Sequence, residues 1–242
     1  MARLVAGERR QRRVGIALLV GALTGCATNN APRPIQPTAP PAAPSESAAG
    51  RAPANPLDDP RAPAEAVERA IAALRQAKDR AFKLDKDSPL PADRRDAFAG
   101  LSYFPFDARY RFIVKLEPCP QASVIEMATT RPDEARRYRC AGVFRFVADG
   151  VPCSLLALTP DIGVPDAAPD LFVPFRDATS GRETYAAGRY LQLKRRGADE
   201  YVLDFNQAFN PYCAYGGDYS CPLPPPENRL PVAIRAGEKL PR

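Results

Sequence analysis

The sequence predicts a mainly β domain, an antiparallel barrel or sandwich carrying one N-terminal amphipathic helix. Three observations predict it. A single helical period runs from 64 to 84 and does not recur. After it come about seven to nine short apolar runs separated by turn residues. Within them, Asp149-Gly150 stands between two apolar runs in "VFRFVADGVPCSLLAL", a strong two-residue hairpin signal. No longer repeat is visible.

The chain opens on a targeting pattern. Arg9, Arg10, Arg12 and Arg13 precede the apolar run "VGIALLVGAL", 14–23, which is too short to anchor a chain across a bilayer. The run closes on "LTGC", which resembles the lipobox of bacterial lipoproteins. That resemblance implies a signal peptide over 1–25 and a lipid on Cys26, the new N-terminus. Ala27 in place of Asp implies the outer membrane, facing the periplasm. An ordinary signal peptide with a chance cysteine is the alternative. Five arginines and one glutamate leave with the leader. The mature chain then holds 29 basic and 27 acidic residues, against 34 and 28 in the full sequence, so its net charge is +2 rather than +6. No basic run is interleaved with aromatics, and nucleic acid is not an expected partner. Residues 26–63 are rich in Pro and Ala and lack any hydrophobic period. They read as a tether between the membrane and one domain spanning 64–242.

In the helix, Val67, Ile71, Leu74, Ala81 and Phe82 recur at three- and four-residue steps, with Pro63 ahead and "DSPLP" behind. The stripe packs on its own domain or serves a partner. In "RYRFIVKLE", 109–117, Tyr110, Phe112, Val114 and Leu116 alternate with polar residues, giving one dry face and one wet face. Further strands are expected at 123–128, 136–141, 187–194, 200–206 and 230–235.

Five cysteines remain beyond Cys26. Cys213 and Cys221 bracket "AYGGDYS", and a bridge between them is expected in an exported domain. The pairing of Cys119, Cys140 and Cys153 stays open. Zinc is the rival for the first pair, but the chain has no His and the spacing is unusual for ligands, so no metal site is assigned.

The absence of His removes Ser-His-Asp and Cys-His catalysis. There is no phosphate-cradling glycine loop, no dinucleotide fingerprint and no C-x-x-C, and no cofactor is assigned. Carboxylate, Tyr, Lys and thiol remain. In "FRDATSGRETYAAGRYL", 175–191, Arg176, Asp177, Glu183, Tyr185 and Arg189 sit among aromatics and alanines. That stretch is too polar for a buried strand. Gly181 suggests a turn and Gly188 a bulge. Asp204 and Asn206 share one face of "YVLDFN", opposite Tyr201, Leu203 and Phe205. With Asn210, Glu227 and Asn228 these residues are expected to line one cleft, covered by the aromatic segment 209–219. Such a cleft holds a small polar ligand or a cell-wall glycan. The alternative is a His-free hydrolase using Asp204, Glu183 and Glu227, with or without a metal held by Asp204 and Asn206. A third reading makes Arg176-Asp177 and Glu227-Arg229 structural ion pairs in an envelope protein without a ligand.

"YFPFD" (103–107), "FVPFRDATSGRETYAAGRYL" (172–191), "LDFNQAFNPYCAY" (203–215) and "CPLPPPENRLPVAIRAGEK" (221–239) resemble the bacterial family called domain of unknown function 1684. The resemblance runs from the helix to the end of the chain. Ala186 or Ala187 stands where that family has Gly, and Cys119, Cys140 and Cys153 lie outside its pattern. The resemblance implies the domain boundaries and no activity.

Overall fold

Helix α1, Ala64–Leu84, forms where the apolar period predicts it, with Glu65 in its first turn and Lys83 in its last to complement the dipole. The computed structural model describes residues 55–120, 124–161, 170–194 and 200–241. Cys26, the signal segment and the tether as far as residue 54 lie outside the described residues. Among the described residues no helix is long and apolar enough to cross a membrane. Val67, Ile71 and Phe82 bury their side chains, but Leu74 is 44% exposed. Leu57 packs on Val67 and Ile71, and Arg111 donates to the carbonyls of Pro56 and Asp59. The packed chain thus includes residues 55–63, ahead of the expected boundary at 64.

Seven strands follow: β1 Arg111–Glu117, β2 Val124–Ala128, β3 Ala135–Ala148, β4 Val151–Pro160, β5 Leu171–Phe175, β6 Arg189–Leu193 and β7 Glu200–Asp204. All pairings are antiparallel, in the order β6-β5-β4-β3-β1-β7, and the sheet curls into a half-barrel. The long β3 carries β2 along its first half and meets β1 through Leu116 and Phe144 in its second half. Its register against β4 shifts between Cys140 and Gly142, and the extra residue bends the strand. Gly142 is required there. A Cβ would lie 2.5 Å from the Leu116 side chain and 2.7 Å from the Glu117 carbonyl. Asp149 and Gly150 take φ of 48° and 76°, the two-residue hairpin geometry that the sequence predicts.

The strand expectations meet three corrections. β5 is unforeseen because Pro174 interrupts its apolar run. The strand expected at 200–206 stops at Asp204, whose side chain accepts from the Asn206 N–H and turns the chain into a 3-10 helix at Phe205–Gln207. Residues 230–235 form no strand. Pro231 removes a ladder donor, and side chains bind other backbone groups of this segment instead. The core lies inside the curl. Phe205 is fully buried there, with its ring centroid 5.1 Å from that of Phe175 and 5.6 Å from that of Phe146. Burying one such ring contributes about 1.5–3 kcal/mol.

Candidate functional site

The polar stretch 175–191 is a buried brace. Arg189 is 1% exposed, and its guanidinium donates to the carbonyls of Ile234, Ala236 and Glu238 and to Asp177. Asp177 accepts in addition from the Ile234 N–H at 2.7 Å and from the hydroxyls of Thr179 and Ser180. Gly181, at φ 82°, allows the tight turn that brings these groups together. Gly188, at φ 102°, lies against the Phe175 carbonyl, where a Cβ would come within 2.6 Å. The stretch therefore ties the C-terminal segment to the half-barrel.

The other nominated residues separate. Asn228 is fully buried and bonds the backbone of Leu156 and Pro174, joining β4 to β5. Arg176 exchanges backbone hydrogen bonds with Asn228 and Leu230, while its Nε is buried without a partner. Glu183 pairs with Arg235 at the surface, and Glu227 is exposed. The Tyr185 hydroxyl donates to Cys213 Sγ at 3.7 Å, and burial pushes its pKa up to about 12. Asp204 and Asn206 stay together, and Asn206 spans to both backbone groups of Asp107. Among the described residues Glu183, Asp204 and Glu227 thus share no partner. The aromatic segment does not cover them either: Tyr215 packs edge-on against Phe82 of α1, at 4.8 Å.

The expected Cys213–Cys221 bridge is not formed, and both are free thiols. The Cys213 N–H donates to Cys221 Sγ at 3.4 Å, and burial raises the Cys221 pKa to about 11. The disulfide of the structure joins Cys119 to Cys140, tying the chain just after β1 to β3.

A different pocket, of about 220 Å³, opens between α1 and the rim of the half-barrel. Arg75 and Lys78 enter it from α1, and Tyr103, Phe209 and Glu238 close it from the other side. Arg75 lies over the Tyr103 ring, 4.5 Å from its centroid, and its Nη1 donates to the Phe104 carbonyl at 2.9 Å. Among the described residues its Nε and Nη2 are buried without a partner, as is the Tyr103 hydroxyl. Burial lowers the Arg75 pKa from its ordinary value and raises that of the Tyr103 phenol, which stays neutral. Lys78 is paired: its Nζ lies 2.5 Å from Glu238 Oε1 and 4.9 Å from the Phe209 ring centroid. Glu238 Oε2 accepts from the Tyr215 hydroxyl at 2.6 Å and from the Asn210 N–H at 2.7 Å. Gln192 and Gln207 also line a smaller cavity of about 30 Å³ that reaches Asp204, a space suited to water. Asp204 Oδ2 is buried without a partner, and burial raises this carboxyl's pKa although Asn206, Arg111 and Arg75 pull it down. Of the nominated residues this pocket uses Asn206 directly, Asn210 through Glu238, and Asp204 next door.

Arg75, Lys78 and Tyr103 escape a reading of the sequence. Cations on the polar side of an amphipathic helix look like its solvent face. The one available sign is Tyr103, an aromatic inside the "YFPFD" motif. Among the described residues no group of three or more acidic or thiol side chains is placed to hold a metal ion.

No curated protein matches the chain. Among solved structures, it is similar to the solution NMR structure of an uncharacterised protein of Haloarcula marismortui. The two share 38% identity over 72% of this chain and 95% of that one, with a TM-score of 0.56. A family model described as a protein of unknown function, DUF1684, matches residues 96–239. That span takes in β1 to β7 and begins after α1, so it is shorter than the resemblance, which ran from the helix onward. The chain belongs to the DUF1684 family.

Proposed function

We propose that this protein is a lipoprotein of the cell envelope, anchored through Cys26 to the outer membrane and facing the periplasm, whose domain binds a small polar ligand in the pocket between α1 and the half-barrel. The ordered basic segment, apolar segment and "LTGC" support the anchor. One observation carries the binding reading. Arg75 lines a pocket of about 220 Å³, and two of its guanidinium nitrogens are buried without a partner among the described residues. Buried donors without partners are uncommon and costly, and a ligand would satisfy them. The pocket is smaller than the roughly 300–1,000 Å³ of drug-sized sites, so the ligand is metabolite-sized. A hydrolase built on Asp204, Glu183 and Glu227 has less support, because glycoside hydrolysis needs two carboxylates flanking one bond.

Two measurements test the proposal. Cys26→Ser should abolish fatty-acid labelling and release the protein from membranes; full membrane retention without label would sink the anchor. Small polar metabolites and cell-wall glycan fragments should be screened by thermal shift. A stabilising compound should lose its effect in Arg75→Leu. An undiminished effect in that variant would place the binding elsewhere.

A further inference from the structure

The free edge of Arg75 narrows the ligand class, resting on the pocket reading above. Its Nη1 is committed to the Phe104 carbonyl, and its Cζ lies over the Tyr103 ring, 4.5 Å from the centroid. The two nitrogens left over, Nε and Nη2, lie on the same side of the guanidinium and donate in parallel. That edge matches the spacing of two oxygens on one carbon. The same molecule shows it in use twice. Arg235 places Nε and Nη2 on the Glu183 carboxylate at 2.9–3.1 Å. Arg109 does the same to Asp107 at 2.7–3.1 Å. At Arg75 the edge is present and the carboxylate is missing.

The charges set the valence. Lys78 is neutralised by Glu238 at 2.5 Å, and the second oxygen of Glu238 is filled by Tyr215 and Asn210. Among the described residues Arg75 is the pocket cation that no salt bridge holds, and the neighbouring Asp204, Glu238 and Asp79 carboxylates, which act on its charge through space, limit an incoming ligand to a single negative charge. A phosphate dianion would want a second free cation. The remaining walls combine apolar surface from Leu74, Ala208 and the rings of Phe209 and Tyr103 with the amides of Gln192, Asn206 and Gln207. The neutral Tyr103 hydroxyl, also without a partner, completes the polar end.

We infer that the pocket binds a small organic monocarboxylate, its carboxylate gripped side-on by Nε and Nη2 of Arg75 and its apolar body set against Leu74 and Phe209. Binding needs no bond to form or break.

Isothermal titration of the protein tests this with butyrate, benzoate and lactate, set against butyramide, benzamide, inorganic phosphate and a neutral disaccharide. At least one acid should bind about tenfold or more tightly than its amide and than phosphate. Arg75→Lys keeps the charge and loses the edge, and should weaken the acid about tenfold or more. Tyr103→Phe removes one hydroxyl only and should weaken the acid in a folded protein, which covers the case in which the Arg75 variant unfolds. Amides binding as well as acids, an unweakened Arg75→Lys, or no binding by any acid would overturn the inference. A disaccharide that binds in an Arg75-dependent way would overturn it while leaving the pocket reading standing. If the disaccharide, amides and phosphate also fail, the pocket reading loses its support too.

Discussion

Arg189 and Asp177 face each other at 3.3 Å with both side chains 1% exposed. Burial lowers the Arg189 pKa from its ordinary value, and Asp177 opposes that. Removing the acid leaves a guanidinium in the core with three carbonyls and, farther off, the Glu238 and Glu183 carboxylates. Asp177→Ala should cost about 3–5 kcal/mol in a denaturant titration, because breaking a buried pair strands the surviving charge. A loss below about 1 kcal/mol would show that the three carbonyls suffice.

Asp204 should couple stability to pH in a direction unusual for an acid. Burial raises its folded pKa above the ordinary carboxylate value. Its contribution is therefore fully present below about pH 3.9, the unfolded value, and is lost as pH rises through the folded value. Asp204→Asn keeps an oxygen for the Asn206 N–H and carries no charge. Melting temperatures measured from pH 4 upward should show the variant gaining on the parent protein as pH rises. Parallel curves would mean that Arg75 and Arg111 already offset the burial.

Two glycines separate crowding from torsion. At Gly142 a Cβ meets the Glu117 carbonyl at 2.7 Å, so Gly142→Ala should cost about 1–3 kcal/mol. At Gly150 nothing lies within 4 Å, and only φ of 76° opposes the change. Gly150→Ala should cost about 1 kcal/mol. Equal losses in equilibrium unfolding would refute the close packing of β1 on the bulge.

The residues just ahead of α1 should matter for stability. A chain beginning at 64 loses Leu57, buried against Val67 and Ile71, and both carbonyl acceptors of Arg111. It should be about 2–3 kcal/mol less stable than a chain beginning at 50. Superimposable melts would return 55–63 to the tether.

The legible parts of this fold were the local ones. The period of α1, the alternation of β1 and the Asp149-Gly150 turn each act over a few residues, and pattern reveals them. β5 was hidden by Pro174, and 230–235 imitates a strand whose carbonyl at Ile234 is claimed by the Arg189 side chain. The nominated Arg and Asp residues were rightly singled out as unusual, but polarity does not tell a brace from a binding site. The pocket itself needs Lys78 and Glu238 to meet across 160 residues of chain, and no local pattern encodes that meeting.

The grip of Arg189 on the last segment also bears on how the chain is made. Its carbonyl partners follow it by 45, 47 and 49 residues. During synthesis, or while threading N-terminus first through the proposed export channel, the half-barrel strands and Asp177 emerge before the carbonyls that solvate and cover their buried cation. Until then Arg189 keeps its hydration, and the core around it stays open. Completion of the domain is thus reserved for the final stretch of polypeptide. Such timing fits the proposed export, and it predicts that products ending before Ile234 remain sensitive to proteases.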